Sequence, residues 1–345
     1  MHRKHFLRSI LPAGLSIHSM VNLRGSEPGP LPGEESTLVV PAYLYKGDSI
    51  GITCPAGFIS LEDIQPAVLK LQEWGFVVIP GITVGKRDFT LGGTDEERLS
   101  DLQQMLDDEN IKAILCARGG YGLVRIIDKL DFKKFLKHPK WIIGFSDITV
   151  MHSHINRHGK VASIHSKMCN SFPSDWNLAE AVQKESIESI RQCITGELMQ
   201  YKVPANPANR LGMATGALVG GNLKTLESLA GTNSDLQTRH KILFVEDTGE
   251  YLYSLDRMFW HLKRTGKLDE LKGLIIGGFK IKKDDPGEEF GKTLEQIVLE
   301  KVKEFNYPVC FDFPTGHQKY NVALKCGMPH TLTVQSDFTQ LVETR

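Results

Sequence analysis

The chain has 345 residues, 41% hydrophobic, 24% charged and 8% aromatic, and its 41 Lys+Arg balance 41 Asp+Glu to a formal net charge of zero. That length suits about two domains at roughly 100–200 residues each, and the balance leaves no basic surplus to draw the chain to nucleic acid or anionic lipid. No apolar run approaches the ~20 residues of a membrane-spanning helix, and Cys54, Cys116, Cys169, Cys193, Cys310 and Cys326 form no CxxC pair, which argues against a disulfide framework or zinc ribbon.

Residues 1–40 differ from the rest. Arg3-Lys-His-Phe-Leu-Arg8 precedes a mildly apolar stretch at 9–23 and the breaker-rich Arg24-Gly-Ser-Glu-Pro-Gly-Pro-Leu-Pro-Gly33. A basic start, a short apolar middle and a polar exit are the layout of an export signal. The Arg-Lys-x-Phe-Leu-Arg order resembles a twin-arginine signal, although Lys4 replaces the second arginine, His18 interrupts the apolar part and no A-x-A site follows. Periplasmic export is favoured, with a disordered cytoplasmic tail as the alternative.

From Gly47 onward, short apolar runs alternate with helical patterns. Strands are predicted at 49–54, 76–79, 111–117 and 141–145. Helices are predicted at 61–74 (Leu61, Ile64, Val68, Leu71 and Trp74 sharing one face), 95–106, from about Leu123, and 148–157. This alternation argues for a parallel sheet with right-handed crossovers, whose ligand-binding loops follow the C-terminal ends of strands. The stretch 169–208 combines a loop, a polar helix at 178–194 and Val203-Pro-Ala-Asn-Pro207, so the domain boundary falls within it. The organisation read here is a 41–175 domain, a 176–210 connector and a 211–345 domain. In the last, strands are expected at 242–245, 271–279, 309–313 and 331–334, with helices at 252–264 and 294–305.

Ser146 ends the apolar run Trp141-Ile-Ile-Gly-Phe145, at a sharp strand-to-helix turn. Such a turn lifts a hydroxyl clear of the sheet and sets it beside free N–H groups at the positive end of a helix, as a nucleophile needs. The plainer interpretation is a helix cap. A serine nucleophile needs a base, and His317 in Phe313-Pro-Thr-Gly-His317 sits on a tight loop at a strand end, although a loop histidine is commonly just a surface residue. Glu246 and Asp247 close the buried run Ile242-Leu-Phe-Val245. A buried carboxylate there needs a partner, which an imidazolium would supply; otherwise the pair caps the next helix or meets Arg257.

Arg118-Gly119-Gly120 also follows a strand. Its glycines can complete an oxyanion hole with the Asp147 amide, and Arg118 can fork onto a substrate carboxylate. A phosphate cradle is a weak rival, because neither glycine-rich phosphate signature is present. His152, His154 and His158 raise a metal alternative without the H-E-x-x-H pattern. Cys116 reads as a packed strand residue.

These pieces, in this order, resemble the bacterial LD-carboxypeptidase family, which includes the microcin C immunity peptidases. The matching stretches are Gly47-Asp-Ser-Ile-Gly-Ile-Thr-Cys-Pro-Ala-Gly57, Ala117-Arg-Gly-Gly-Tyr-Gly122, Gly144-Phe-Ser-Asp147 and Gly216-Ala-Leu-Val-Gly-Gly-Asn222, followed by Phe244-Val-Glu-Asp-Thr-Gly-Glu250 with Asp256-Arg257, and Phe313-Pro-Thr-Gly-His317. The resemblance spans about residues 41–340. It implies an α/β fold: an N-terminal parallel-sheet (Rossmann-like) domain, a smaller C-terminal α/β domain and an active site between them. It further implies Ser146 as nucleophile, Glu246 as triad acid, His317 as base, and backbone amides of Asp147 and of Gly119 or Gly120 as oxyanion donors. No metal or organic cofactor is implied, and the molecules are expected to pair as homodimers. The implied reaction cuts the amide between an L-centre and a terminal D-amino acid, as when D-Ala leaves a murein tetrapeptide. The immunity branch instead cleaves aminoacyl-nucleotide analogues and needs an aromatic platform, for which Trp176 is the candidate. From another class, a non-catalytic nucleotide-binding α/β protein is the remaining alternative.

Overall fold

Two sheets carry residues 37–344, the part of the chain described by a computed structural model of the protein. The export-like segment up to residue 36 lies outside the described residues. The first half runs β1 (Ser49–Thr53), α1 (Leu61–Glu73), β2 (Val77–Pro80), α2 (Asp95–Asp107), β3 (Ile111–Cys116), α3 (Lys133–Lys137), β4 (Trp141–Gly144), α4 (Thr149–Gly159) and β5 (Ser163–His165). There follow α5 (Ala181–Ile194), β6 (Gln200–Pro204), β7 (Gly212–Asn222), α6 (Leu223–Leu229), β8 (Ile242–Glu250), α7 (Leu252–Arg264) and β9 (Gly273–Ile281). Last come α8 (Leu294–Lys301), β10 (Val309–Cys310), β11 (Leu324–Cys326), β12 (Pro329–Val334) and β13 (Phe338–Glu343).

The first sheet has the order β2-β1-β3-β4-β5-β11, parallel up to β5 and closed by antiparallel β11. This is a doubly wound order, with the reversal between β1 and β3, and it directs attention to the loops after β3 and β4. The second sheet has the order β10-β9-β8-β7-β12-β13-β6, parallel from β10 to β7 and antiparallel beyond. It carries seven strands against six in the first.

Side chains alternate between layers at the period of a strand. Along β3, Ala113 and Leu115 enter a core shared with α1, α5 and the second sheet, while Ile114 and Cys116 face α2 and α4. Along β8, Ile242 and Phe244 join the shared core, and Leu243 and Val245 pack under α6, α7 and α8. Each fully buried Leu, Ile or Phe stabilises by roughly 1.5–3 kcal/mol, well above the ~0–1 kcal/mol of an exposed ion pair. The shared core therefore holds the two sheets in register. A buried pair, Lys325 Nζ on Glu343 Oε2 at 2.9 Å, ties β11 of one sheet to β13 of the other. All six cysteines are buried and free, consistent with the sequence reading.

Local signals account for the helix starts. Ser60 Oγ accepts from Asp63 N at 3.1 Å to open α1, and Thr94 with Glu97 forms a reciprocal capping box at α2.

Two expectations need correction. The helix from about Leu123 is absent: two 3₁₀ turns (Leu123–Arg125 and Ile127–Lys129) precede the five-residue α3. Gly122 enters at φ 140°, and the Leu123 N–H is taken by Asp147 Oδ2 at 2.8 Å, so the chain is pinned to the β4 turn instead of winding on. The division 41–175, 176–210 and 211–345 also does not follow the sheets. The connector donates β6 to the second sheet, and β11, from the C-terminal part, covers the open edge of β5.

Candidate active site

At the end of β4 the chain reaches Phe145 in extended conformation and then turns sharply, with Ser146 at φ 63°. A non-glycine residue held there costs about 1–3 kcal/mol and persists only where its surroundings impose it. Ser146 Oγ makes no hydrogen bond among the described residues, and no side-chain cap opens α4, so capping does not explain this serine. Gly119 lies against it: a Cβ there would sit 2.9 Å from Ser146 Cβ and 3.1 Å from Oγ. Gly57 N braces the Gly119 carbonyl at 2.9 Å, leaving the Gly119 and Gly120 amides without hydrogen bonds among the described residues. Asp147 is the second residue of a 3₁₀ turn (Ser146–Ile148), where N–H groups lack partners within the turn.

Glu246 is fully buried midway along β8, with Oε2 2.6 Å from His317 Nδ1 and 3.2 Å from His317 N. Gly316 permits this approach. Its φ is 100°, and a Cβ there would meet Glu246 Cβ at 2.4 Å. Glu246 Oε1 has no partner among the described residues. The His317 ring lies 4.8 Å from that of Phe145, the neighbour of Ser146; no hydrogen bond joins Ser146 to His317. From the other side, Lys167 Nζ holds the Gln318 carbonyl at 2.6 Å, and burial lowers its pKa to about 8.

Asp247, the other member of the acid pair, is structural. Its carboxylate accepts from Asn222 Nδ2, Lys224 N and Thr248 N at 3.1, 2.8 and 2.7 Å. Burial outweighs these bonds and raises its pKa to about 6; burial does the same to Asp147, against the Leu123 N–H.

Ser146, Gly120 and Asp147 open onto a cavity of about 450 Å³, whose far wall includes Asn222, Lys224, Thr248 and Glu250. That volume falls within the ~300–1,000 Å³ of small-molecule sites.

A model of the LD-carboxypeptidase N-terminal domain matches residues 50–166, and one of the C-terminal domain matches residues 215–332. A Bacillus subtilis protein described as a probable murein peptide carboxypeptidase is 34% identical over 293 residues, covering 83% of this chain and 89% of that protein. The chain belongs to the LD-carboxypeptidase family. The murein tetrapeptide carboxypeptidase of Pseudomonas aeruginosa is 31% identical, covering 81% of this chain and 91% of its own. A crystal structure of a muramoyltetrapeptide carboxypeptidase from Oxalobacter formigenes superposes with a TM-score of 0.76 at 28% identity, covering 86% of this chain and 99% of that one. Membership makes the chain a serine-type peptidase.

In this LD-carboxypeptidase Gly119 lies against Ser146, Ser146, Gly120 and Asp147 line one cavity, and Glu246 meets His317. Arg118 and Trp176 do not join them. Arg118 is exposed and gives its guanidinium to the Phe58 carbonyl at 2.9 Å. Trp176 lines a separate depression with Phe172 and Pro173, its ring covered by Lys70 Nζ at 3.7 Å. Neither lines the cavity at Ser146.

Sequence reasoning missed Asn222, Lys224, Thr248 and Glu250. Their signal was present, since each lies in or just beyond a glycine-containing motif at the end of a parallel strand. For the metal alternative, His154 Nδ1 meets Ser234 Oγ at 2.9 Å and His158 Nε2 meets the Asn233 carbonyl at 2.7 Å. Among the described residues no cluster of three or more His, Cys, Asp or Glu could hold an ion.

Proposed function

We propose that this chain is a murein tetrapeptide carboxypeptidase that releases terminal D-Ala across an L,D-amide, with Ser146 as nucleophile, His317 as base and Glu246 as its orienter. The observations that carry this reading are the strained, unpartnered Ser146 and, 4.8 Å from the ring of its neighbour Phe145, a His317 ring whose Nδ1 is fixed on a buried carboxylate at 2.6 Å. Glu246 selects the tautomer with Nε2 free to accept a proton. His317 takes the Ser146 proton as the hydroxyl attacks the scissile carbonyl, and the Asp147 amide with that of Gly119 or Gly120 receives the oxyanion. The imidazolium then protonates the leaving amine, and water clears the acyl-enzyme by the reverse steps.

The test is D-Ala release from a murein tetrapeptide by wild type and by Ser146→Ala, which should lose on the order of 10⁶ in kcat. Undiminished turnover in the variant would overturn the nucleophile assignment. No release by wild type would overturn the substrate and turn attention to aminoacyl-nucleotides.

Homodimer formation belongs to the same proposal, supported by the family resemblance and checked by sedimentation. Export by the N-terminal segment is proposed as well. Fusing residues 1–35 to a reporter and fractionating cells would decide between periplasm and cytoplasm.

A further inference from the structure

Beyond β5 the chain runs past the Ser146 turn. Ser166 N donates to the Gly144 carbonyl at 3.1 Å, and Met168 Cε lies 3.2 Å from where a Cβ on Gly119 would sit. Between them, Lys167 is half-buried, with Nζ 2.6 Å from the Gln318 carbonyl and 6.0 Å from the centre of the Phe145 ring. An ammonium has three donors, and the Gln318 carbonyl is the one hydrogen-bond partner of this one among the described residues. The acid whose charge reaches it is Glu246, but Glu246 Oε2 is held by the ring and the backbone of His317.

A second cation adds to this imbalance. Lys280 is exposed on β9, just beyond Gly278, which bridges to Gly316 in the His317 loop. Burial, and after it the charge of Lys280, lowers the Lys167 pKa to about 8. A cation drawn out of water without a counter-charge is costly, and an anion bound beside it removes that cost.

The reaction supplies such an anion. His317 gives its proton to the leaving amine, so the departing residue lies on the His317 side of the scissile bond. Its terminal carboxylate is joined to the same α-carbon as that nitrogen. Other cations near Ser146 are engaged elsewhere: Lys224 pairs with Glu227 at 2.7 Å, and Arg118 is turned to the Phe58 carbonyl at 2.9 Å.

We propose that Lys167 binds the C-terminal carboxylate of the departing D-residue, with the exposed Lys280 adding a weaker attraction. Lys167 is thereby the residue that restricts the enzyme to free chain ends. This rests on the carboxypeptidase reading above and adds which side chain recognises the chain end.

The experiment uses a murein tetrapeptide ending in D-Ala and the same peptide with that carboxylate amidated. The readout is the ratio of kcat/KM on the acid to kcat/KM on the amide, for wild type, Lys167→Met, Lys167→Arg and Lys280→Ala. A charge-assisted hydrogen bond supports roughly ten- to hundredfold discrimination, so wild type should favour the acid by that factor. Lys167→Met should bring the ratio near one, and Lys167→Arg, which keeps the charge, should hold it well above that. Lys280→Ala should lower it less than Lys167→Met does, because an exposed charge acts weakly.

Equal wild-type rates on acid and amide would overturn the inference and leave D-Ala release standing. A ratio unchanged in Lys167→Met would also overturn it, and both peptides slowed alike would assign the lysine to holding the His317 loop. A larger drop in Lys280→Ala than in Lys167→Met would move the carboxylate to Lys280. No release from either peptide by wild type would overturn the carboxypeptidase reading and this inference together. Ratios within one variant are insensitive to how much of it folds, so a poorly folding variant still reports.

Discussion

Gly119 touches the nucleophile more closely than any side chain could. Ala at this position would put its Cβ 2.9 Å from Ser146 Cβ and 3.2 Å from Met168 Cε. The methionine can give way, but Ser146 is already held at φ 63° and cannot turn aside freely. Gly119→Ala is therefore expected to fold and to lower kcat by roughly 10²–10³, the scale of a displaced oxyanion donor. Circular dichroism together with D-Ala release checks this, and near-wild-type turnover would remove Gly119 from the site. At the same scale, Glu246→Gln keeps the shape of the buried side chain but changes which imidazole nitrogen carries the proton. A loss of about 10⁴ in kcat is expected, by analogy with the Asp-to-Asn change in a serine protease triad. A loss below tenfold would mean that the 2.6 Å contact between His317 and Glu246 serves only packing.

At the scale of elements, the site depends on how the segment after His317 is anchored. Ser186 Oγ accepts from Asn321 N at 3.0 Å and Ser189 Oγ from Ala323 N at 2.9 Å, both buried and both reaching from α5 to the lead-in of β11. Ser189→Ala would orphan a buried N–H and cost about 1–3 kcal/mol. Lys133→Ala, which removes an exposed 3.6 Å ion pair, should stay within about 0.5 kcal/mol. Urea midpoints would separate the two, and equal shifts would refute the anchoring role. This element also marks what the sequence could not disclose. The ends of β3 and β4 were legible because apolar runs stop at Arg118 and Ser146, whereas β8 runs on to Glu250, past the apolar run that stops at Glu246. That β11 would cross to the first sheet was not, since three residues carry no periodicity of their own and the pairing depends on which edge is open. The turns after Gly122 were misread as a helix because the competing acceptor, Asp147, lies 24 residues away in sequence. The polar wall of the cavity was not singled out either: Lys224 and Glu250 share it only because β7 and β8 run side by side as parallel strands.

At the scale of the whole molecule, the buried ionisable groups set how the fold responds to acid. His152 and His330 are buried in apolar surroundings that press their pKa values down to about 4, burial holds His165 well below its ordinary value, and the part-buried His154 is also lowered to about 4. Each is neutral when folded and binds a proton when unfolded once the pH drops below about 6.5, so the stability it contributes is present above 6.5 and lost towards pH 4. Asp147 and Asp247 act in the opposite sense. Burial raises both to about 6, so the folded state takes up their protons first and gains stability as pH falls from 6 towards 3.8. Four imidazoles against two carboxyls leave the histidines ahead, by one to two protons once His154 is discounted for its exposure. Each net proton is worth about 1.4 kcal/mol per pH unit. The urea midpoint should therefore fall steadily from pH 6.5 to 4.5. His330→Leu should flatten that slope by about one proton, since it removes a titrating ring at the cost of one bond to the Met328 carbonyl. A midpoint that holds or rises on acidification would mean that Asp147 and Asp247 dominate, and an unchanged slope in His330→Leu would mean that this ring takes up its proton in the folded state as well.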